Sequence, residues 1–279
     1  MKNMIDKSVS TSIEIVEREA WLDLVVAAPA DYVESSKVSS ARLGAMVGIA
    51  DLGVPITEFN RILGLGIGKP VNEAELDQAI AWMNDNAAAS FALQVSPTAL
   101  PEARLVEWIL ERGFKNAGNG WAKLYRDSVP VVDQAVPTTL DVRLVEAHQA
   151  EEFGRVAQAA FGLPETIIPL LSAIVGRPNW KAYLAYDGDT PVASGAMFLD
   201  NKWAWLGVDA TLPDYRGRGA QNALIRQRVS EGISAGVVGF TAETGQPPEG
   251  QEGSNKSFNN YHRSGFTRVY ARRNYKFGI

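Results

Sequence analysis

Apolar positions along this chain recur in two rhythms. A three-to-four-residue spacing in NEAELDQAIAWMND (residues 72–85) and GAQNALIRQRVSEGI (219–233) predicts helices with one buried face. Continuous apolar runs in SFALQVSP (90–97) and AGVVGFTAETG (235–245) predict buried strands. Asn72 and Glu75 stand three apart at the head of the first helix, the spacing of a capping box. In the second half, DVRLVEA (141–147) reads as a strand, and AEEFGRVAQAAFG (150–162) and PETIIPLLSAIVG (164–176) as helices. Residues 181–212 read as an antiparallel meander with turns at Asp187-Gly188 and Asp200-Asn201.

The two halves end alike. WILERGFKNAGNGWAKLYRD (108–127) and NYHRSGFTRVYARRNYKFGI (260–279) each read as a helix stopped by Gly-Phe and followed by an aromatic strand. Gly113 and Gly265 suit the left-handed position that closes a helix. An internal duplication accounts for the parallel. The proline-bearing segment 126–142 reads as a linker or crossing strand, giving domains at 1–130 and 138–279.

Composition narrows the chemistry. The 279 residues are 46% hydrophobic and 21% charged, a globular balance, and a net charge of −5 argues against general nucleic-acid binding. The basic C-terminal residues Arg268, Arg272, Arg273 and Lys276 read as a solvated strand edge. With no cysteine there is no disulfide, thiolate nucleophile or Cys-ligated zinc. The only histidines, His148 and His262, are far apart, so neither a His-rich metal site nor a Ser-His-Asp triad is expected. Lacking a signal-like or membrane-spanning apolar run, the chain is expected to be cytoplasmic, with no membrane partner.

The stretch DYRGRGAQ (214–221) follows a strand and opens a helix. Helix N-termini carry unpartnered N–H groups and a positive dipole end, so they collect phosphates. Gly217 and Gly219 let the backbone approach such a group closely, and Arg216 and Arg218 add charge. Gly219 is followed by Ala-Gln rather than Lys-Ser/Thr, which excludes a nucleotide P-loop, and the dinucleotide fingerprint needs three glycines. Taken alone, the loop reads equally as an exposed basic turn.

Together with DATLP (209–213), the helix after the loop, the strand VVGFTAETG and NKSFNNYHRSGF (255–266), this stretch resembles the GNAT superfamily of N-acetyltransferases. The family signature Arg/Gln-x-x-Gly-x-Gly/Ala matches at Arg216 and Gly219, with Gln221 in place of the last small residue. Tyr261 before Gly265-Phe266 matches a second family element. The resemblance covers residue 140 to the C-terminus; in the first half it covers architecture alone. It implies an α/β fold of the α+β mixed-sheet kind. Two tandem acyl-CoA N-acyltransferase-like domains are expected, each a mixed, largely antiparallel sheet flanked by helices.

The resemblance further implies acetyl-CoA as co-substrate, a primary amine as acceptor, no metal, and a monomer or homodimer. The pyrophosphate is expected on the amides of Gly217, Arg218, Gly219, Ala220 and Gln221, where Gln221 still supplies an N–H. Ala210, Thr211 and Leu212 are expected to offer backbone groups to pantetheine and the thioester carbonyl. Asn255, Ser257 and Asn260 are expected on the pantetheine arm or the adenosine phosphates; the plain alternative is a helix cap. Tyr261 is the implied donor to the departing thiolate, or else a packing residue. Glu243 is the first candidate base and Asp209 the second.

The first half reads GLGIGKPVNEAE (64–75) where the loop belongs. Pro70 lacks an N–H, Glu73 and Glu75 repel an anion, and Ile109 stands where the second half has Tyr261. That half is expected to have lost acetyl-CoA binding. A non-catalytic acyl-CoA-binding or interaction module is the alternative reading, and a nucleotide-binding protein a third.

Overall fold

The computed structural model describes residues 6–130 and 137–277; the middle of the expected linker, 131–136, lies outside the described residues. The chain divides into two compact units, Met1–Lys123 with Val269–Ile279, and Leu124–Arg268. This differs from boundaries at 1–130 and 138–279. The change of unit falls inside two strands, and most of the last strand belongs to the first unit. Among the described residues, no helix is long and apolar enough to cross a membrane.

The first unit runs α1 (Lys7–Val26), α2 (Ala30–Ser36), β1 (Ser39–Leu43), β2 (Met46–Ala50), β3 (Arg61–Leu63), α3 (Glu73–Asn86), β4 (Ala92–Val95), α4 (Glu102–Glu111), β5 (Phe114–Asn116) and the start of β6 (Trp121–Asp127). The final strand of the chain, β12 (Thr267–Phe277), completes its sheet in the order β1-β2-β3-β4-β12, with β5 also on β12. β3 and β4 pair in parallel, because α3 carries the chain across between them, and β1–β2, β2–β3, β4–β12 and β5–β12 pair antiparallel. Leu76, Ala79 and Met83 of α3 and Leu105 and Ile109 of α4 pack on Leu93 and Val95.

Charge is buried beside this core. Arg272 Nη1 lies 2.9 Å from Glu14 Oε2 and Nη2 lies 2.7 Å from Glu17 Oε1. Lys123 Nζ also reaches Glu17, and the Tyr270 hydroxyl donates to Glu14 Oε1 at 2.6 Å. Two carboxylates and two cations balance, which makes the burial tolerable. Arg272 is therefore not part of a solvated edge, although Arg268 and Arg273 are exposed. The one-dimensional pattern of β12 does not reveal that α1 places Glu14 and Glu17 opposite one of its arginines.

The second unit runs β7 (Asp141–Leu144), α5 (Ala150–Phe161), α6 (Ile168–Ser172), β8 (Trp180–Asp187), β9 (Thr190–Asp200), β10 (Trp203–Thr211), α7 (Ala220–Ser234), β11 (Gly239–Gly245) and α8 (Lys256–Arg263). Its sheet order is β11-β10-β9-β8-β7. The meander β7–β10 is antiparallel, and β11 joins β10 in parallel after the α7 crossover. The first hairpin turns on Gly188-Asp189, one residue later than expected, with Gly188 at φ +63°. Asn201 and Lys202, both at positive φ, make the second. The helix expected over 164–176 forms only in part. A short 3-10 turn at Glu165–Ile167 leads into α6, which starts at Ile168 with Pro169 in its first turn.

The internal parallel is visible as β3–α3–β4–α4 in one unit and β10–α7–β11–α8 in the other. Gly113 (φ +83°) and Gly265 (φ +84°) follow α4 and α8 in the left-handed region, and Phe114 and Phe266 behind them are buried.

Candidate functional site

β10 and β11 pair from Trp203 and Gly239 to Leu206 and Ala242, and then part. β10 stays on β9 through a bulge: Gly207 opposes Ala196, the next partners are Ala210 and Ser194, and Val208 and Asp209 face only Gly195. Val208 takes φ +54°, a region that β-branched residues rarely occupy. The buried Ser194 hydroxyl donates to its carbonyl at 3.0 Å. Glu243 is the first β11 residue past the last pair, half-buried where the strands separate. A cavity of about 930 Å³ adjoins the parted strands, lined by Asp209, Ala210 and Thr211 of β10 and by residues of α7 and α8.

The N-terminus of α7 opens onto this cavity. Gly217 (φ +81°) and Gly219 (φ +83°) turn the chain in conformations that side chains resist, and the N-cap residue, Gly219, has no side chain with which to cap the helix. A Cβ on Gly217 would meet no atom within 4 Å. The first turn of α7, from Gly219 to Asn222, thus lines the cavity with no cap from its N-cap residue.

The matching helix of the first unit is built oppositely. Asn72 Oδ1 accepts from Glu75 N and Glu75 Oε2 accepts from Asn72 N, both at 2.9 Å, closing the expected capping box. Gly64, Gly66 and Gly68 are all at positive φ, but their loop is pinned by Leu100 N to Gly66 O at 2.8 Å and Val71 N to Leu100 O at 3.1 Å. Ile109 is fully buried in the core.

Of the site residues expected from the sequence, Ala210, Thr211, Arg216, Gly217, Gly219, Ala220, Gln221, Asn255, Ser257 and Asn260 all line the cavity. Their polar groups already have protein partners in several places. Gln221 bridges two helices, donating to Ser257 Oγ and accepting from Asn260 Nδ2, each at 2.8 Å. This explains a large residue at a position where the family pattern has a small one: its side chain ties α7 to α8. Asn255 caps α8 by accepting from Phe258 N at 3.0 Å, and donates to Gly245 O at 2.7 Å. Arg216 is braced by the carbonyls of Thr211 (3.2 Å) and Ala160 (3.3 Å).

Leu212, Arg218, Glu243 and Tyr261 do not line the cavity. The Leu212 N–H donates to Val192 O at 3.0 Å. Arg218 forks onto Asp187 at 2.7 and 2.9 Å and holds that exposed carboxyl below its usual range through those hydrogen bonds.

Below the bulge lies a polar cluster of which the sequence suggested only part. The fully buried Arg228 of α7 donates through Nη1 to Asp209 Oδ2 (3.1 Å) and through Nη2 to Asp209 Oδ1. The Tyr261 hydroxyl donates to Asp209 Oδ2 at 2.6 Å. Burial, and then the Asp209 carboxylate, push the Tyr261 phenol well above its usual pKa. The Tyr261 ring packs edge-on against Phe266 with centroids 5.0 Å apart. Arg228 had a sequence signal: it lies four residues after Leu224 and three after Ile225, on the buried stripe of α7.

No sequence-family profile and no curated protein sequence matches the chain. Solved structures do resemble it. A GCN5-related N-acetyltransferase from Kribbella flavida superposes with a TM-score of 0.60 at 16% identity, covering 95% of this chain and 94% of that one. A GCN5-related N-acetyltransferase from Sphaerobacter thermophilus gives 0.55 at 15% identity over 85% and 81% of the two chains. A tandem GNAT protein from the clavulanic acid biosynthesis pathway gives 0.54 at 15% identity over 83% and 78%. The chain therefore has the GNAT fold, in its tandem form, and the first of these likenesses extends over nearly its whole length.

Proposed function

We propose that the second unit is an N-acetyltransferase that uses acetyl-CoA and passes the acetyl group to a primary amine by direct attack on the thioester. The observation that carries this reading is the uncapped N-terminus of α7, preceded by two left-handed glycines and facing a cavity beside two parted strands. A pyrophosphate on the amides of Gly217 to Gln221 would take the place of the missing cap, with Arg216 beside it. Ala210 and Thr211 then border the acyl end with their backbone groups. Glu243 at the strand divergence is the proposed base. Tyr261 is the proposed donor toward the thiolate. Its raised pKa suits it to lend a hydrogen bond rather than to release a proton, and its hydroxyl has to turn from Asp209 to do so. The capped α3 and the buried Ile109 support a first unit that binds no acetyl-CoA.

That same hydrogen bond to Asp209 favours a second reading, an acyl-CoA-binding module without turnover. The two are separated by incubating the chain with acetyl-CoA and a panel of amines, amino acids, polyamines, aminoglycosides and peptides while following CoA release. Release dependent on one amine class supports the enzyme; saturable acetyl-CoA binding without amine-dependent release supports the module. The expected setting for either is the cytoplasm, with the chain a monomer or homodimer.

A further inference from the structure

We infer that Arg228 is a positioning residue that builds the acyl end of the site by holding the β10 bulge in place. The inference rests on the acetyltransferase reading above. A bulge leaves ladder carbonyls without their usual partners and needs something to fix its shape. Here the Arg228 guanidinium does this. Besides its fork on Asp209, Nη1 donates to Ala196 O at 2.8 Å and lies 3.4 Å from Gly207 O, and Nε donates to Leu224 O at 3.0 Å. Ala196 and Gly207 are the last regular β9–β10 pair before the ladder slips. The bulged residues Val208 and Asp209 lie opposite Gly195, whose missing side chain is where the guanidinium sits: a Cβ there would come within 2.9 Å of Arg228 Cζ.

One side chain of α7 therefore grips both strands at the slip and the carboxylate of the bulged residue. The strained Val208 backbone persists because its surroundings over-determine it. Ala210 and Thr211 directly follow, and both line the cavity. Their backbone direction is set by the bulge, and the bulge by Arg228. Lysine cannot replace it, because a single ammonium cannot reproduce the planar fork.

The test uses full-length chain, acetyl-CoA labelled with 13C at the carbonyl, isotope-edited infrared difference spectroscopy and calorimetry. Wild type is expected to bind the thioester with its carbonyl stretch moved to lower frequency than in free acetyl-CoA. In Arg228→Lys, acetyl-CoA affinity is expected to stay within about threefold, since the α7 N-terminus is untouched. The carbonyl band is expected to return to the free position, and CoA release to the best amine of the panel to fall by about tenfold or more. Gly195→Ala, which displaces the guanidinium without removing it, is expected to act in the same direction and carries the test if Arg228→Lys does not fold. Either folded variant keeping both the shifted band and wild-type turnover overturns the role of Arg228 alone. Loss of affinity in step with turnover also overturns it. A wild-type chain that binds no acetyl-CoA removes the acetyltransferase reading itself.

Discussion

The Tyr261 hydroxyl lies 2.6 Å from Asp209 Oδ2 and donates its hydrogen to it, while Arg228 forks onto both oxygens of the same carboxylate. Tyr261→Phe keeps the ring against Phe266 and removes only this hydroxyl. If Tyr261 assists the thiolate, kcat falls by about 10- to 1,000-fold with acetyl-CoA affinity nearly unchanged. The variant also loses about 1.5–3 kcal/mol of stability, the scale of a hydrogen bond to a charged group. Steady-state kinetics and urea unfolding measure the two separately, and unchanged kcat with lowered stability assigns the hydroxyl to the fold alone.

Buried tyrosines set a pH limit. Burial first, then the carboxylates of Asp209 and Glu14, raise the phenols of Tyr261 and Tyr270 well above their usual value, and burial raises Tyr183 to about 12. An unfolded tyrosine titrates near pH 10. Above about pH 10 the folded chain holds more protons than the unfolded one, so rising pH favours unfolding. Unfolding free energy should be insensitive to these groups below about pH 10 and fall from there upward, less steeply in Tyr261→Phe. Urea titrations between pH 8 and 11 check this; equal slopes in the two proteins contradict the assignment.

The charge cluster of the first unit is sensitive to loss of a single partner. Arg272→Met leaves Glu14 and Glu17 buried with only Lys123 and Tyr270 to balance them. Removing one partner from such a pair costs about 3–5 kcal/mol. Urea unfolding should register a loss on this scale, and a loss under about 1 kcal/mol shows the charges to be compensated by other means.

The sequence made some of this legible and hid the rest for physical reasons. Short-range chemistry was readable: the Asn72–Glu75 box, the glycines after α4 and α8, and the strand-loop-helix around Gly217 and Gly219 depend on neighbours a few residues away. Long-range placement was not. That β12 belongs largely to the first unit depends on its pairing with β4, some 180 residues earlier, and the burial of Arg272 depends on Glu14 and Glu17 of α1, farther back still. The helix cap by Asn255 was readable, because Phe258 is three residues away, whereas the ties from Gln221 to Ser257 and Asn260 and from Asn255 to Gly245 form only in the fold.

The arginines of the phosphate loop should differ in effect. Arg218→Ala breaks an exposed pair with Asp187 and should change acetyl-CoA affinity less than about twofold, since such pairs contribute little. Arg216→Ala removes a cation on the cavity wall and should weaken binding by about tenfold, the scale of one charge-assisted contact. Calorimetric affinities for the two variants test the order, and a reversed order moves the phosphate to the Arg218 side of the loop.

Titration of the full-length chain with acetyl-CoA in a calorimeter, beside Gly219→Pro, tests the central claim most directly. Gly219 sits at φ +83°, so proline both removes an N–H and imposes a φ near −65°, disordering the head of α7. One acetyl-CoA should bind per wild-type chain, with no binding in Gly219→Pro and none of ATP or NAD in either protein. Two acetyl-CoA per chain, unchanged affinity in Gly219→Pro, or binding of ATP without acetyl-CoA would contradict a single acetyl-CoA site at the N-terminus of α7.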